Sequence, residues 1–225
     1  MSNDINAILA KMRKAGKMED NKSKGNLGED AVLALCLERK NHVGNGLLYQ
    51  SFSYPYQTDK NGVCYTGNIV RDQTTGEFTE FTRDTLYDEI DVLYITPYRV
   101  FPIEVKSYGK ARLDVSDLWF ARNGQFVTKS PIAQAEKHAR HLYHAIYEVL
   151  PDGDPKYVKP IVCFVDNCRL RQERTQYFTD YVPVCILNNF LATIQKYNTP
   201  LEYNLDLSAI ERKLNNVKVS VRKKL

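Results

Sequence analysis

The chain is poor in the groups that mark several large protein classes. Among 225 residues there are five cysteines, four histidines and one tryptophan. Cys36, Cys64, Cys163, Cys168 and Cys185 are odd in number and scattered, and no two form a CxxC pair. That argues against a disulfide framework and against a zinc knuckle. No apolar run is long enough to cross a bilayer. The stretch MSNDINAILAKMRKAGK lacks the apolar core and small-residue cleavage site of a secretory signal. The expected compartment is the cytoplasm, without membrane attachment. There is no internal repeat and no low-complexity tract. Nor is the charge lopsided, with 31 Lys and Arg against 27 Asp and Glu, a net +4.

What charge there is gathers at the ends. Lys11, Arg13, Lys14, Lys17, Lys22 and Lys24 crowd one end, and Lys213, Lys218, Arg222, Lys223 and Lys224 the other. Basic ends on a near-neutral middle suit a polyanion, although exposed tails also carry lysine for solubility. Lys11, Arg13, Lys14, Lys22 and Lys24 are the candidate nucleic-acid contacts.

Pattern divides the chain into a basic arm over residues 1–24, a main domain over 25–200 and a basic extension over 201–225. GNLGEDAVLALCLERK, residues 25–40, reads as a helix with Asn26 as N-cap and Leu27, Ala31 and Leu35 as its apolar stripe. Leu47 to Tyr54 reads as a strand. An insertion of about residues 55–86 follows, with VCYTGNIV and EFTEF as a β-hairpin around RDQTTG. Residues 107–129 read as irregular. Ser130-Pro131 caps a helix running to about Leu150. YVKPIVCFV reads as a buried strand parallel to its neighbour, VPVCIL as another, and NNFLATIQKY as a closing helix.

Two further runs carry charge into apolar strands. DEIDVLYIT spans residues 88–96 and FPIEVK spans 101–106. Side chains alternate faces along a strand. Ile103 and Val105 therefore share one face and Glu104 and Lys106 the other. In the first run Glu89 and Asp91 share a face, opposite Ile90, Val92 and Tyr94. An unpaired buried charge costs several kcal/mol. Either these are the solvated faces of a hairpin, or two carboxylates converge on a hard cation such as Mg²⁺, with a lysine beside it.

Other polar residues bear on that choice. Glu29, three residues after Asn26, has the spacing of a capping box. Gly28 beside it lowers helix propensity, which a close approach to the backbone would explain. Gln134 falls too late in its helix to cap it and lies beside an apolar arc that includes Ile132, Ala135, Ala139 and Leu142. His138, His141 and His144 rotate by about 60° per step, so the three do not share one side, and they read as exposed.

GNLGEDAV, DEIDVLYITPYRVFPIEVKSYGKARL and SPIAQAEKHARHL, in that order, resemble the nuclease-related domain (NERD) family, grouped with the PD-(D/E)XK nucleases. The resemblance covers roughly residues 25–195 outside the insertion. It implies a restriction-endonuclease-like αβββαβ core, a small mixed sheet flanked by helices, with the hairpin inserted. It implies that Asp91, Glu104, Lys106, Glu29 and Gln134 are the active-site set. Asp91 and Glu104, with the Val105 carbonyl, would hold Mg²⁺, or Mn²⁺ in its place. Lys106 would orient or help deprotonate a water attacking the phosphodiester bond of DNA. Two features depart from the family pattern. Pro102 lies inside the E-x-K strand, where it predicts a bulge or lost pairing, and the insertion is long. The alternatives are a nucleic-acid-binding module that does not cut, and a docking subunit that uses the insertion hairpin for a protein partner or a second copy. RNA stands beside DNA as a substrate.

Overall fold

The two charged strands lie side by side inside one mixed sheet. The computed structural model describes residues 21–43, 46–58, 64–65, 69–71, 78–80, 86–107, 112–113, 119–120, 126–127, 130–165, 171–172, 181–217 and 223–224. The sheet is built from β1 (Leu47–Thr58), β2 (Leu86–Ile95), β3 (Val100–Lys106), β4 (Ile161–Phe164), β5 (Val184–Ile186) and β6 (Lys223–Lys224). In space the order is β5-β4-β3-β2-β1-β6, with Cys64–Tyr65 pairing beyond on β1. β1, β2 and β3 form an antiparallel meander. β4 then runs parallel to β3, and β5 parallel to β4. Parallel neighbours need a crossover, and helix α2 (Pro131–Ile146) supplies the one between β3 and β4.

Helices cover both faces. α1 (Asn21–Val43) and α3 (Phe190–Tyr197) lie on one. There Val32, Leu35, Phe190 and Ile194 pack with Leu48, Val92, Phe101, Ile103 and Cys163. On the other face, α2 and α4 (Leu207–Val217) bring Ala139, Leu142, Ile210 and Leu214 against Tyr49, Phe52, Ile90 and Leu93. Residues 201–225 thus contribute a helix to the core and a strand to the sheet edge. This is an α/β fold with a small mixed sheet between helices, as a restriction-endonuclease-like core requires. No helix among the described residues is long and apolar enough to cross a membrane.

Ser130 caps α2 as the sequence predicts, its Oγ accepting from the Ala133 N–H at 3.3 Å with Pro131 in the first turn. The inserted hairpin is present as Ile69–Arg71 paired antiparallel with Phe78–Glu80. Four expectations change. α1 is helical from Asn21, so Asn26 is an interior residue and Glu29 does not complete a capping box. Residues 107–129 are not wholly irregular: Arg112–Leu113, Trp119–Phe120 and Phe126–Val127 join Arg171–Gln172 in a small second sheet. Pro102 makes no bulge, for it stays in register opposite Leu93 within an unbroken run from Val92↔Ile103 to Ile95↔Val100. Finally, strict alternation fails in β2. Val92 and Tyr94 pack under α1, while Ile90, Leu93 and Ile95 pack under α2.

That last change has a local cause. In the β1–β2 register Gln50 meets Val92 and Phe52 meets Ile90, and the pairing skips Ser51 opposite Asp91. Ser51 has φ of 49°, a left-handed conformation that costs a non-glycine residue about 1–2 kcal/mol. The twist restarts the alternation on β1, where Tyr49 and Phe52, three residues apart, both face the α2 side. Ile90 and Leu93 repeat the slip across the pair. The residue at the break in β2 is Asp91.

Candidate active site

Asp91 lies where β2 parts from β3. The β2–β3 ladder ends at Val92↔Ile103. One residue further the Asp91 side chain takes over, and its Oδ2 accepts the Val105 N–H at 2.7 Å. A side chain bridges the widening gap where backbone pairing has stopped. Across that gap Glu104 is 1% exposed, on the β3 face opposite Ile103, as the alternation predicts. Its Oε1 is paired with the Lys106 ammonium, two residues along the same face. Its Oε2 is buried 3.1 Å from His138 Nδ1, without the alignment of a hydrogen bond.

Glu29 arrives from the opposite layer. Gly28 is the reason α1 sits so close: a Cβ there would lie 2.8 Å from Val165 Cγ2 and 3.3 Å from Val105 Cγ1. The close approach inferred from the glycine is therefore an approach to the sheet. It lets Glu29 Oε2 accept from Ser51 Oγ at 3.1 Å, with Gln50 Nε2 at 3.5 Å. Gln50 also donates to Asp30 Oδ1 at 2.8 Å. The twisted residue of β1 thus holds the carboxylate of α1 beside the break in β2.

The electrostatics bind these groups together. Burial, then the neighbouring Glu104 and Glu29 charges, push the Asp91 carboxyl well above its ordinary pKa, against the Val105 N–H and Lys106. Burial alone would raise Glu104 too, but nearby His138 and Lys106 outweigh it and hold its pKa below the usual value. Asp91 thus feels two further carboxylates and the Lys106 ammonium, a field that favours a further cation. Among them no three His, Cys, Asp or Glu side chains gather closely enough to hold a metal by themselves. Two carboxylates with a carbonyl and water nonetheless suit Mg²⁺, which keeps several waters and is often held by one or two carboxylates. Glu104, whose Oε1 already holds the Lys106 ammonium, and the buried Asp91 carboxyl beside it fit that use, so the residues present fit a hard divalent cation.

The fold brings Asp91, Glu104, Lys106 and Glu29 together. Gln134 is half-buried in the first turn of α2, its N–H bonded to the Ser130 carbonyl, and no hydrogen bond joins its amide to those four. Lys11, Arg13 and Lys14 lie outside the described residues, as do the side chains of Lys22 and Lys24 in α1.

The sequence reading missed a buried polar cluster behind Glu104. His138 and His141 are 5% and 1% exposed, not on the solvent face expected of them. Both turn towards Asp88 at the start of β2. His141 Nδ1 is 2.5 Å from Asp88 Oδ2, Lys137 Nζ donates to Oδ1 at 2.7 Å, and His138 Nε2 is 3.8 Å from Oδ1. Burial opposes a charge on Asp88, but the bonds from His141 and Lys137 prevail and lower its pKa. The available signal was the first aspartate of DEID, one alternation step from the buried Ile90.

A family model, the nuclease-related domain, matches residues 24–165. No curated protein and no solved structure matches the chain.

Proposed function

The chain belongs to the nuclease-related domain family, and we propose that it is a metal-dependent nuclease that hydrolyses phosphodiester bonds of DNA. The observation that carries this reading is the pair of carboxylates, Asp91 and Glu104, on adjacent strands where the ladder opens, beside the Lys106 ammonium. Asp91 and Glu104, with the Val105 carbonyl, would hold Mg²⁺, with Mn²⁺ as a substitute. Bound there, the cation supplies a lowered pKa for its water and neutralises charge on the phosphate.

The remaining roles fall to the chain's own groups. Lys106, 16% exposed at the end of four methylenes, can leave Glu104 to orient the attacking water and to stabilise the charge that grows on the phosphate oxygens. Glu29, held by Ser51, orients water on the far side of Asp91. Gln134, near the start of α2, positions substrate or water from the next layer. Lys11, Arg13, Lys14, Lys22 and Lys24 track the DNA backbone and carry little sequence information. Among the described residues Cys36, Cys163 and Cys185 are buried free thiols, which suit a reducing cytoplasm.

Cleavage of plasmid and linear DNA with Mg²⁺, Mn²⁺ or EDTA, by the native chain and by Glu104→Ala, tests the reading. Cutting that needs the metal and disappears in the variant supports it. Salt-sensitive DNA binding with no cutting by the native chain replaces it with a binding module. Metal-dependent cutting of RNA alone keeps the chemistry and changes the substrate.

A further inference from the structure

The ionic cluster behind Glu104 is more than a packed core requires. Asp88, Glu104, His138 and His141 are all nearly inaccessible, between the sheet and α2. Replacing buried ionic groups by packed apolar ones is often neutral or stabilising. The cluster also has a direction. Asp88 is fixed from two sides, by Lys137 and by His141. Its Oδ1 faces one ring nitrogen of His138 at 3.8 Å, and the other nitrogen lies 3.1 Å from Glu104 Oε2. The backbone beneath the ring is pinned too, because Tyr54 Oη donates to the His138 carbonyl at 3.3 Å. The other Glu104 oxygen is held by a flexible lysine that reaches solvent.

We propose that His138 and Asp88 are a positioning pair that holds the Glu104 carboxylate in its cation-binding orientation. Neither touches the reacting atoms. Asp88 sets the His138 ring, and the ring keeps Glu104 directed into the site when Lys106 swings to the phosphate. The inference rests on the nuclease reading and adds to it two residues outside the Asp91, Glu104 and Lys106 set.

Two measurements test it: binding of Mn²⁺ alone, read from the spin resonance of free Mn²⁺, and cleavage kinetics. Partners that orient metal ligands typically contribute 10–100-fold to metal affinity or activity. Asp88→Asn and His138→Gln are therefore expected to weaken Mn²⁺ binding by about 10–100-fold and to lower kcat similarly, with KM for DNA unchanged. Should those buried variants fail to fold, Lys137→Ala, on a side chain 40% exposed, loosens Asp88 from outside and should weaken Mn²⁺ binding in the same direction by less. Folded variants that bind Mn²⁺ within about twofold of the native chain, or that change KM alone, overturn the proposal. So does Lys137→Ala with native affinity where the buried pair cannot be studied. Glu104→Ala separates the two ideas. If it binds Mn²⁺ and cuts normally, the nuclease site itself is wrong. If it is inactive while Asp88→Asn and His138→Gln behave as the native chain, only the positioning role is lost.

Discussion

Gly28→Ala perturbs the spacing on which the site depends. The new Cβ would meet Val165 Cγ2 at 2.8 Å and Val105 Cγ1 at 3.3 Å. Carbon atoms rest about 3.5–4.0 Å apart, so α1 must retreat by several tenths of an ångström or the valines must turn. Overfilling a packed core costs about 1–3 kcal/mol. Against that, alanine inside a helix gains about 1 kcal/mol over glycine. The net is a loss of roughly 0–2 kcal/mol, and each kcal/mol moves the Tm of a chain this size by about 2–4 °C. Function should suffer more than stability. Glu29 follows Gly28 in sequence, and its 3.1 Å bond to Ser51 has little slack. A displacement of about 1 Å can cost 10²-fold in rate, so a shift of half that size is expected to slow cleavage about tenfold. Thermal unfolding and cleavage rates of Gly28→Ala, Val165→Ala and the double variant measure both effects. The double variant should regain rate and lose less stability than the singles together, because the clash is gone. A Gly28→Ala chain that melts higher by the full helix-propensity gain and cuts normally would refute the role given to this glycine.

Three further outcomes follow from the same geometry. The fold disfavours the Asp91 charge, through burial first and then Glu104, so stability from this group falls as pH rises through its raised folded pKa. Asp91→Asn, which can still accept the Val105 N–H, should raise Tm at neutral pH by a few degrees while abolishing metal-dependent cleavage; a lower Tm would contradict the electrostatics. Asp88 has the opposite sign: its folded pKa is depressed, so its contribution is complete above the ordinary value of 3.8 and is lost as pH falls through the folded one. Acid-unfolding curves should therefore be shallower below pH 3.8 for Asp88→Asn than for the native chain. Ser51 separates strain from function. Ser51→Gly relieves a positive φ and should stabilise by about 0.5–1 kcal/mol while loosening Glu29. Ser51→Val should destabilise by more than that, and unfolding curves in which valine is the more stable would show that the left-handed backbone is wrong.

The outcome for each strand depended on whether local chemistry alone fixes its faces. β3 was readable because nothing interrupts its alternation: Ile103 and Val105 pack towards α1, and Glu104 and Lys106 go the other way. β2 was readable only to the break. A serine with positive φ on the neighbouring strand shifts the phase opposite Asp91, and nothing in SFSY announces it, because serine has no special tolerance for that conformation. The start of α1 was misread for a related reason. Asn26 is a good cap by local preference, but packing of Val32, Leu35 and Cys36 on the sheet favours a helix whose interior includes it. The histidines failed on range. Alone on a helix, His138 and His141 look solvated, and only Asp88 and Glu104, from strands 53 and 34 residues away along the chain, make their burial tolerable. Groups whose roles follow from their own strand or helix were legible, whereas groups defined by a distant charge were not. The same division predicts where substitutions will be unforgiving. Asp88 has neighbours in sequence that could have been solvated, yet it sits in the core with the Lys137 ammonium and the His141 ring bonded to it and the His138 ring facing it. Losing its charge weakens the acceptor that Lys137 and His141 share and the carboxylate that His138 faces, and the carboxylate that feels this next, through His138, is Glu104.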